Sequence, residues 1–145
     1  FVLSRMIEDC CNHVRALGTY EISIRGDLGL KICADSQRID QVVINLVNNA
    51  IKYAPDSKEI VINIERIENN VKVSVADKGP GIPPEKKDHL FDRYYQLEPK
   101  KKSQGSGLGL GLYISANIIK KHNGRMGVES VLGKGSTFWF VIPIS

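Results

Sequence analysis

The run SQRIDQVVINLVNNAIKY, residues 36–53, decides how the rest of the chain is read. Ile39, Val42, Val43, Leu46, Val47 and Ala50 recur at three- and four-residue intervals, the spacing of one helical face. Asp35 or Ser36 is placed to cap the start and Pro55 to end it. The same run carries a second stripe. Arg38, Gln41, Asn45, Asn49 and Lys52 are also three and four apart, on a face roughly 130° around the axis from the apolar one. A solvated helix face is the ordinary meaning of such a stripe. Asparagine fits that meaning poorly, because two of them inside a helix cost stability without a structural return. An amide oxygen can also ligate Mg²⁺ without adding charge. Both meanings stay open on this run alone.

Working outward, Val2, Leu3, Met6, Ile7, Cys10, Val14 and Leu17 predict a helix over 2–17, with Gly18 as its stop. Tyr20, Ile22 and Ile24 alternate as in a strand, and a turn through Gly26 and Gly29 leads to a short apolar stretch at 30–34. Beyond the central helix, Ile60, Ile62 and Ile64 and then Val71, Val73 and Val75 predict a hairpin turning at Asn69-Asn70. A helix over about 108–122 carries Lys120 and Lys121 in its last turn, with Gly124 placed to end it. A last hairpin pairs 126–131 with 136–142 around Gly133-Lys134-Gly135. Hairpins imply antiparallel pairing. The expected fold class is α+β. It is a two-layer α/β sandwich, a mixed, mostly antiparallel sheet of about five strands covered by about three helices on one face.

Length and composition suit one domain spanning 1–145: 145 residues, 42% apolar, supply a core of ordinary size. The net charge of +4 is mild, and the basic residues are not interleaved with aromatics, so nucleic-acid binding is not indicated. Cys10, Cys11 and Cys33 are odd in number and lack zinc-ligand spacing, which fits small core residues in a reducing compartment. No apolar run reaches membrane-spanning length, and no signal-peptide pattern opens the chain. The first residue is Phe1 rather than Met, and the expectation is a piece of a larger protein.

From Asp77 to Gly111 the periodicity breaks, apart from a short helix predicted over 84–91. Long irregular stretches in compact domains are commonly functional. Asp77-Lys78-Gly79-Pro80-Gly81-Ile82 brings an acid from a strand end into a tight turn. That is either an ordinary turn or a carboxylate for a ligand amine, with glycines permitting close approach. Gly105-Ser106-Gly107-Leu108-Gly109-Leu110-Gly111-Leu112 runs into a helix, with glycine at every second position. Glycine is costly in a helix start unless the exposed amides meet a phosphate, though a hinge would also use it. Neither the Rossmann fingerprint nor the Walker loop fits the spacing of the glycines.

These segments together resemble the catalytic domain of sensor histidine kinases, which belongs to an ATPase group with DNA gyrase, mismatch-repair ATPases and heat-shock chaperones. The resemblance covers nearly the whole chain. Its boxes stand in order: Asn45 to Tyr53; Asp77 to Ile82; Phe91-Asp92-Arg93-Tyr94-Tyr95; Gly105 to Leu112; and Gly133-Lys134-Gly135-Ser136-Thr137-Phe138.

The resemblance implies a Bergerat-type ATP-binding fold and roles for named residues. Asn45 is implied as the Mg²⁺ ligand, Asn49 and Lys52 as phosphate-side contacts, and Tyr53 as a ring against adenine. Asp77 is implied as acceptor of the adenine amine, within a turn formed by Gly79, Gly81 and Ile82. Residues 92–106 are implied as a mobile lid over ATP. Arg93 and Lys100 to Lys102 are partners for phosphate charge, and Gly105, Gly107, Leu108, Gly109 and Leu110 line the phosphate side. Thr137 is implied as a polar contact near the base. The implied reaction transfers the γ-phosphoryl group of MgATP to a histidine on a dimerisation domain of the same kinase, and a response regulator is the later partner. The implied location is cytoplasmic, with a parent protein that can be membrane-anchored and no membrane contact by this domain. His13, His89 and His122 lie in no acceptor-like context, so self-labelling is not expected. Gln41 stands four residues before Asn45, where the gyrase and chaperone branch carries a glutamate base.

Overall fold

The computed structural model describes residues 1–16, 20–54, 58–92 and 111–145. The side chains of His13 and Tyr53 fall outside that description. The elements run α1 (Leu3–Arg15), β1 (Glu21–Gly26), α2 (Ser36–Tyr53), β2 (Glu59–Ile67), β3 (Asn70–Asp77), α3 (Pro84–Lys87), α4 (Gly111–Lys121), β4 (Arg125–Val131) and β5 (Gly135–Pro143). The strands form one sheet in the order β1-β2-β3-β5-β4.

The pairing is antiparallel except between β1 and β2, which run parallel from Glu21 opposite Glu59 to Gly26 opposite Ile64. That exception follows from α2, which lies between the two strands in sequence and carries the chain back so that both point the same way. The sheet is therefore mixed and mostly antiparallel, with the three longer helices α1, α2 and α4 and the single-turn α3.

Alternation sorts the sheet into two faces. Ile60, Ile62 and Ile64 of β2, Val71, Val73 and Val75 of β3, and Phe138, Phe140 and Ile142 of β5 are all buried in one core. Register sets them side by side: Ile62 opposite Val75, and Val75 opposite Phe138. Leu46, Val47 and Ala50 of α2 and Leu112, Ile118 and Ile119 of α4 close over them. The other face carries Lys72, whose ammonium stands 5.0 Å above the Trp139 ring. Gly127 is glycine because a Cβ there would meet that ring at 2.7 Å.

Several local expectations shift by a residue. The β2–β3 turn is Glu68-Asn69, since Ile67 pairs with Asn70. Glu68 takes the positive φ of 55°. Matching the valines of β3 to the isoleucines of β2 fixes which two residues must turn. At the end of α4, Asn123 rather than Gly124 adopts the left-handed conformation, φ 59°. Gly124 is needed for space, because a Cβ would lie 2.1 Å from the Val141 carbonyl oxygen. Cys10 and Cys11 are core residues, while Cys33 is exposed. Burial first, then the bond its thiol donates to Asp40, pushes Cys10 up, and burial pushes Cys11 up to about 11. Both are therefore neutral, unreactive thiols near pH 7.

Candidate functional site

Beyond Arg38, which is exposed, the α2 polar stripe is not a fully solvated face. Gln41, Asn45, Asn49 and Lys52 are half-buried, whereas Asn48, off the stripe, is exposed. Asn45 lies against α4: its Nδ2 donates to the Gly111 carbonyl at 3.3 Å and to Ser115 Oγ at 2.9 Å. Among the described residues, Oδ1 of Asn45 accepts no hydrogen bond. Asn49 Nδ2 is buried with no hydrogen-bond partner among those residues. A buried amide donor without a partner costs about 1–3 kcal/mol, so it marks a place where an acceptor belongs.

Asp77 ends β3 on the core face, 8% exposed. Its Oδ1 accepts from the backbone N–H of Gly79 at 2.9 Å and of Ser136 at 3.2 Å. Both bonds fall on one oxygen, and among the described residues Oδ2 accepts none. Burial pushes the carboxyl above its ordinary value, and the two amide bonds only partly offset this.

Besides the Asp77–Gly79 bond, the turn around Asp77 is fixed by its neighbours. A Cβ on Gly79 would meet the Ala54 methyl at 2.4 Å and Asp77 Oδ1 at 3.1 Å. Gly81, at φ 82°, has the Val131 carbonyl oxygen 2.5 Å from where a Cβ would stand. On the side a Cβ would take, Gly81 makes room for the chain's own β4–β5 hairpin. Gly135, at φ 128°, lets that hairpin reach the Asp77 carbonyl, 2.1 Å from its missing Cβ. Ser130 Oγ accepts from the N–H of Ile82 at 2.7 Å and lies 3.0 Å from Ser136 Oγ. The Asp77–Ile82 and Gly133–Phe138 segments are therefore one structure.

The structure brings Asn45, Asn49 and Lys52 together on α2 and places Asp77, Gly79, Gly81 and Ile82 in one turn. Tyr53 closes α2, and the Ala54 that follows it touches that turn. Thr137 is not brought to Asp77. It pairs with Ala76, and alternation turns it to the sheet face away from the helices. Ser136, one residue earlier, faces Asp77. Alternation back from buried Phe138 was the signal for it. Ser115 carries a similar signal, a hydroxyl within the apolar stripe Leu112, Ile118, Ile119. Arg93, Lys100 to Lys102, Gly105, Gly107, Leu108, Gly109 and Leu110, with the lid expected over 92–106, lie outside the described residues beyond Asp92.

Of the histidines, His89 Nδ1 lies 3.0 Å from Asp92 Oδ2. His122 joins α4 to α2, with Nδ1 2.9 Å from the Ile118 carbonyl and Nε2 accepting from the Asp35 N–H at 3.3 Å.

Residues 34–145 match the family described as histidine kinase-, DNA gyrase B-, and HSP90-like ATPase. Among curated proteins, the chain is 43% identical over 114 residues to the adaptive-response sensory kinase SasA of Crocosphaera subtropica, which is 78% of this chain and 29% of that protein. The chain thus spans under a third of the length of that relative. Among solved structures, the catalytic domain of histidine kinase ThkA aligns with a TM-score of 0.82 at 31% identity, covering 99% of this chain and 93% of that one. Full-length ShkA, solved in complex with AMPPNP, aligns with a TM-score of 0.85 at 28% identity over 99% of this chain and 30% of its own.

Proposed function

The chain belongs to the histidine kinase-, DNA gyrase B-, and HSP90-like ATPase family, and from that premise we propose that it binds ATP with Mg²⁺ and supplies the γ-phosphoryl group to a histidine on a partner dimerisation domain. This is the first step of a two-component relay, and a response-regulator aspartate is the later acceptor. The proposed setting is the cytoplasm. No helix among the described residues is long and apolar enough to cross a membrane.

The observation that carries the reading is Asp77, a buried carboxylate with one oxygen committed to two amides and the other uncommitted among the described residues. Such an oxygen matches the exocyclic amine of adenine. Ser136 and Ser130 fix its surroundings. On the phosphate side, Nδ2 of Asn49, without a partner among the described residues, fits an anionic oxygen, and Lys52 adds charge. Arg93 and the glycines at 105, 107 and 109 are proposed for the same side on sequence grounds.

The donor set suits a magnesium ion that arrives with the nucleotide. No group of three His, Cys, Asp or Glu side chains among the described residues could hold a metal alone. Mg²⁺ commonly keeps several waters and shares substrate phosphates, and Asn45 Oδ1 would give it one neutral protein oxygen. When bound, the ion would neutralise charge on the phosphates. The chain's own residues orient the nucleotide, and catalysis is mainly positioning.

Titration calorimetry with a non-hydrolysable ATP analogue tests the reading. The chain should bind it, and Asp77→Asn should lose about 1.5–3 kcal/mol, the usual worth of a hydrogen bond to a charged group. Equal affinity in the two proteins would remove the adenine assignment.

A further inference from the structure

We propose that Ser115 is a positioning residue that sets the metal-binding orientation of Asn45, an inference that rests on the functional reading above. The two residues are on different helices, 70 positions apart, and meet across the α2–α4 contact. Ser115 is fully buried, at 0% exposure, within a helix stripe that is otherwise Leu112, Ile118 and Ile119. Packing alone would be met there by alanine. A buried hydroxyl needs a partner, and this one has the Asn45 amide.

The orientation follows from donors and acceptors. A backbone carbonyl only accepts, so the Asn45 atom facing the Gly111 oxygen must be Nδ2. Ser115 Oγ takes the second hydrogen of the same nitrogen. With both hydrogens engaged, the amide cannot turn over without setting Oδ1 against a carbonyl oxygen. Oδ1 is thereby held on the opposite side, uncommitted among the described residues and available to a hard cation. Without the hydroxyl, one hydrogen of a half-buried amide has no partner and the amide is held at one point only. The Gly111 carbonyl belongs to the first turn of α4, so the same pair of bonds also ties Asn45 to the start of that helix.

The test compares binding of AMPPNP with Mg²⁺ and with EDTA in the unaltered chain, Ser115→Ala and Ser115→Cys. The magnesium-dependent gain in affinity should fall about 2- to 12-fold in Ser115→Ala, the equivalent of one neutral hydrogen bond. Affinity in EDTA should stay as in the unaltered chain. Ser115→Cys, somewhat larger and only a weak acceptor, should fall between the two. A Ser115→Ala protein with an unchanged magnesium gain would overturn the proposal. So would an equal loss with and without the ion, which is what a purely structural role gives. If the unaltered chain binds AMPPNP with no magnesium gain, the Ser115 proposal fails and the nucleotide site stands. If it binds no nucleotide at all, the functional reading itself fails. Alanine is smaller than serine and the better helix former, so the variant should fold, and its circular dichroism spectrum and melting temperature confirm that the comparison is between folded proteins.

Discussion

Asp77 is held in a conflict that pH can expose. Its folded-state pKa is raised by burial, so the folded chain binds more protons than the unfolded chain just above the ordinary aspartate range. Stability from this group is therefore greatest at low pH. It is lost as pH rises from the unfolded pKa through the raised folded one. Asp77→Asn removes the titration. Denaturant unfolding of the nucleotide-free proteins should show the unaltered chain losing stability relative to Asp77→Asn across that window, with a constant difference above it. The opposite slope would mean that the two amide bonds to Oδ1 outweigh burial.

Among the elements, α2 carries most of the proposed site, so its N-terminus has consequences beyond local order. Asp35 caps it, its side chain accepting from the Arg38 N–H at 3.3 Å. Its own backbone N–H meets His122 at the end of α4. Asp35→Ala should lower unfolding stability by about 1 kcal/mol, within the usual 0.5–2 for a lost cap, while Asp35→Asn should keep most of it. The shift in urea midpoint at unchanged m-value reads this directly. An unshifted midpoint in Asp35→Ala would show the end of α2 to be held by His122 and packing alone.

For the whole molecule, Gln41 bears on what happens to bound ATP. It lies one turn before Asn45 on the same face of α2, and its Oε1 accepts from Arg38 Nη1 at 3.4 Å. An amide does not take a proton from water near pH 7, and general-base help is worth about 10²–10⁴-fold. The chain should therefore bind ATP but release phosphate far more slowly than a typical enzyme turnover of about 10 s⁻¹. That suits the proposed donation of the γ-phosphoryl group to a histidine. A steady-state phosphate-release assay near 10 s⁻¹ would instead place it with the hydrolysing branch of the family.

What the amino-acid order determined by itself was everything that repeats locally. The two stripes of α2 follow from a 3.6-residue period, and the inward faces of β2, β3 and β5 from a period of two. Hence the α+β class and the elements were legible before any coordinates, whereas roles for Asn45, Asn49 and Asp77 came only with the family resemblance. The tertiary structure alone decided the partners. Ser136 meets Asp77 from 59 residues away, and Ser115 meets Asn45 from 70. No short-range pattern encodes such distances. It also decided that β1 and β2 run parallel, that Thr137 faces away, and that Gly81 makes room for a hairpin. Each depends on which strand becomes whose neighbour, and that is set by burying every apolar face in one core at once rather than by any segment alone.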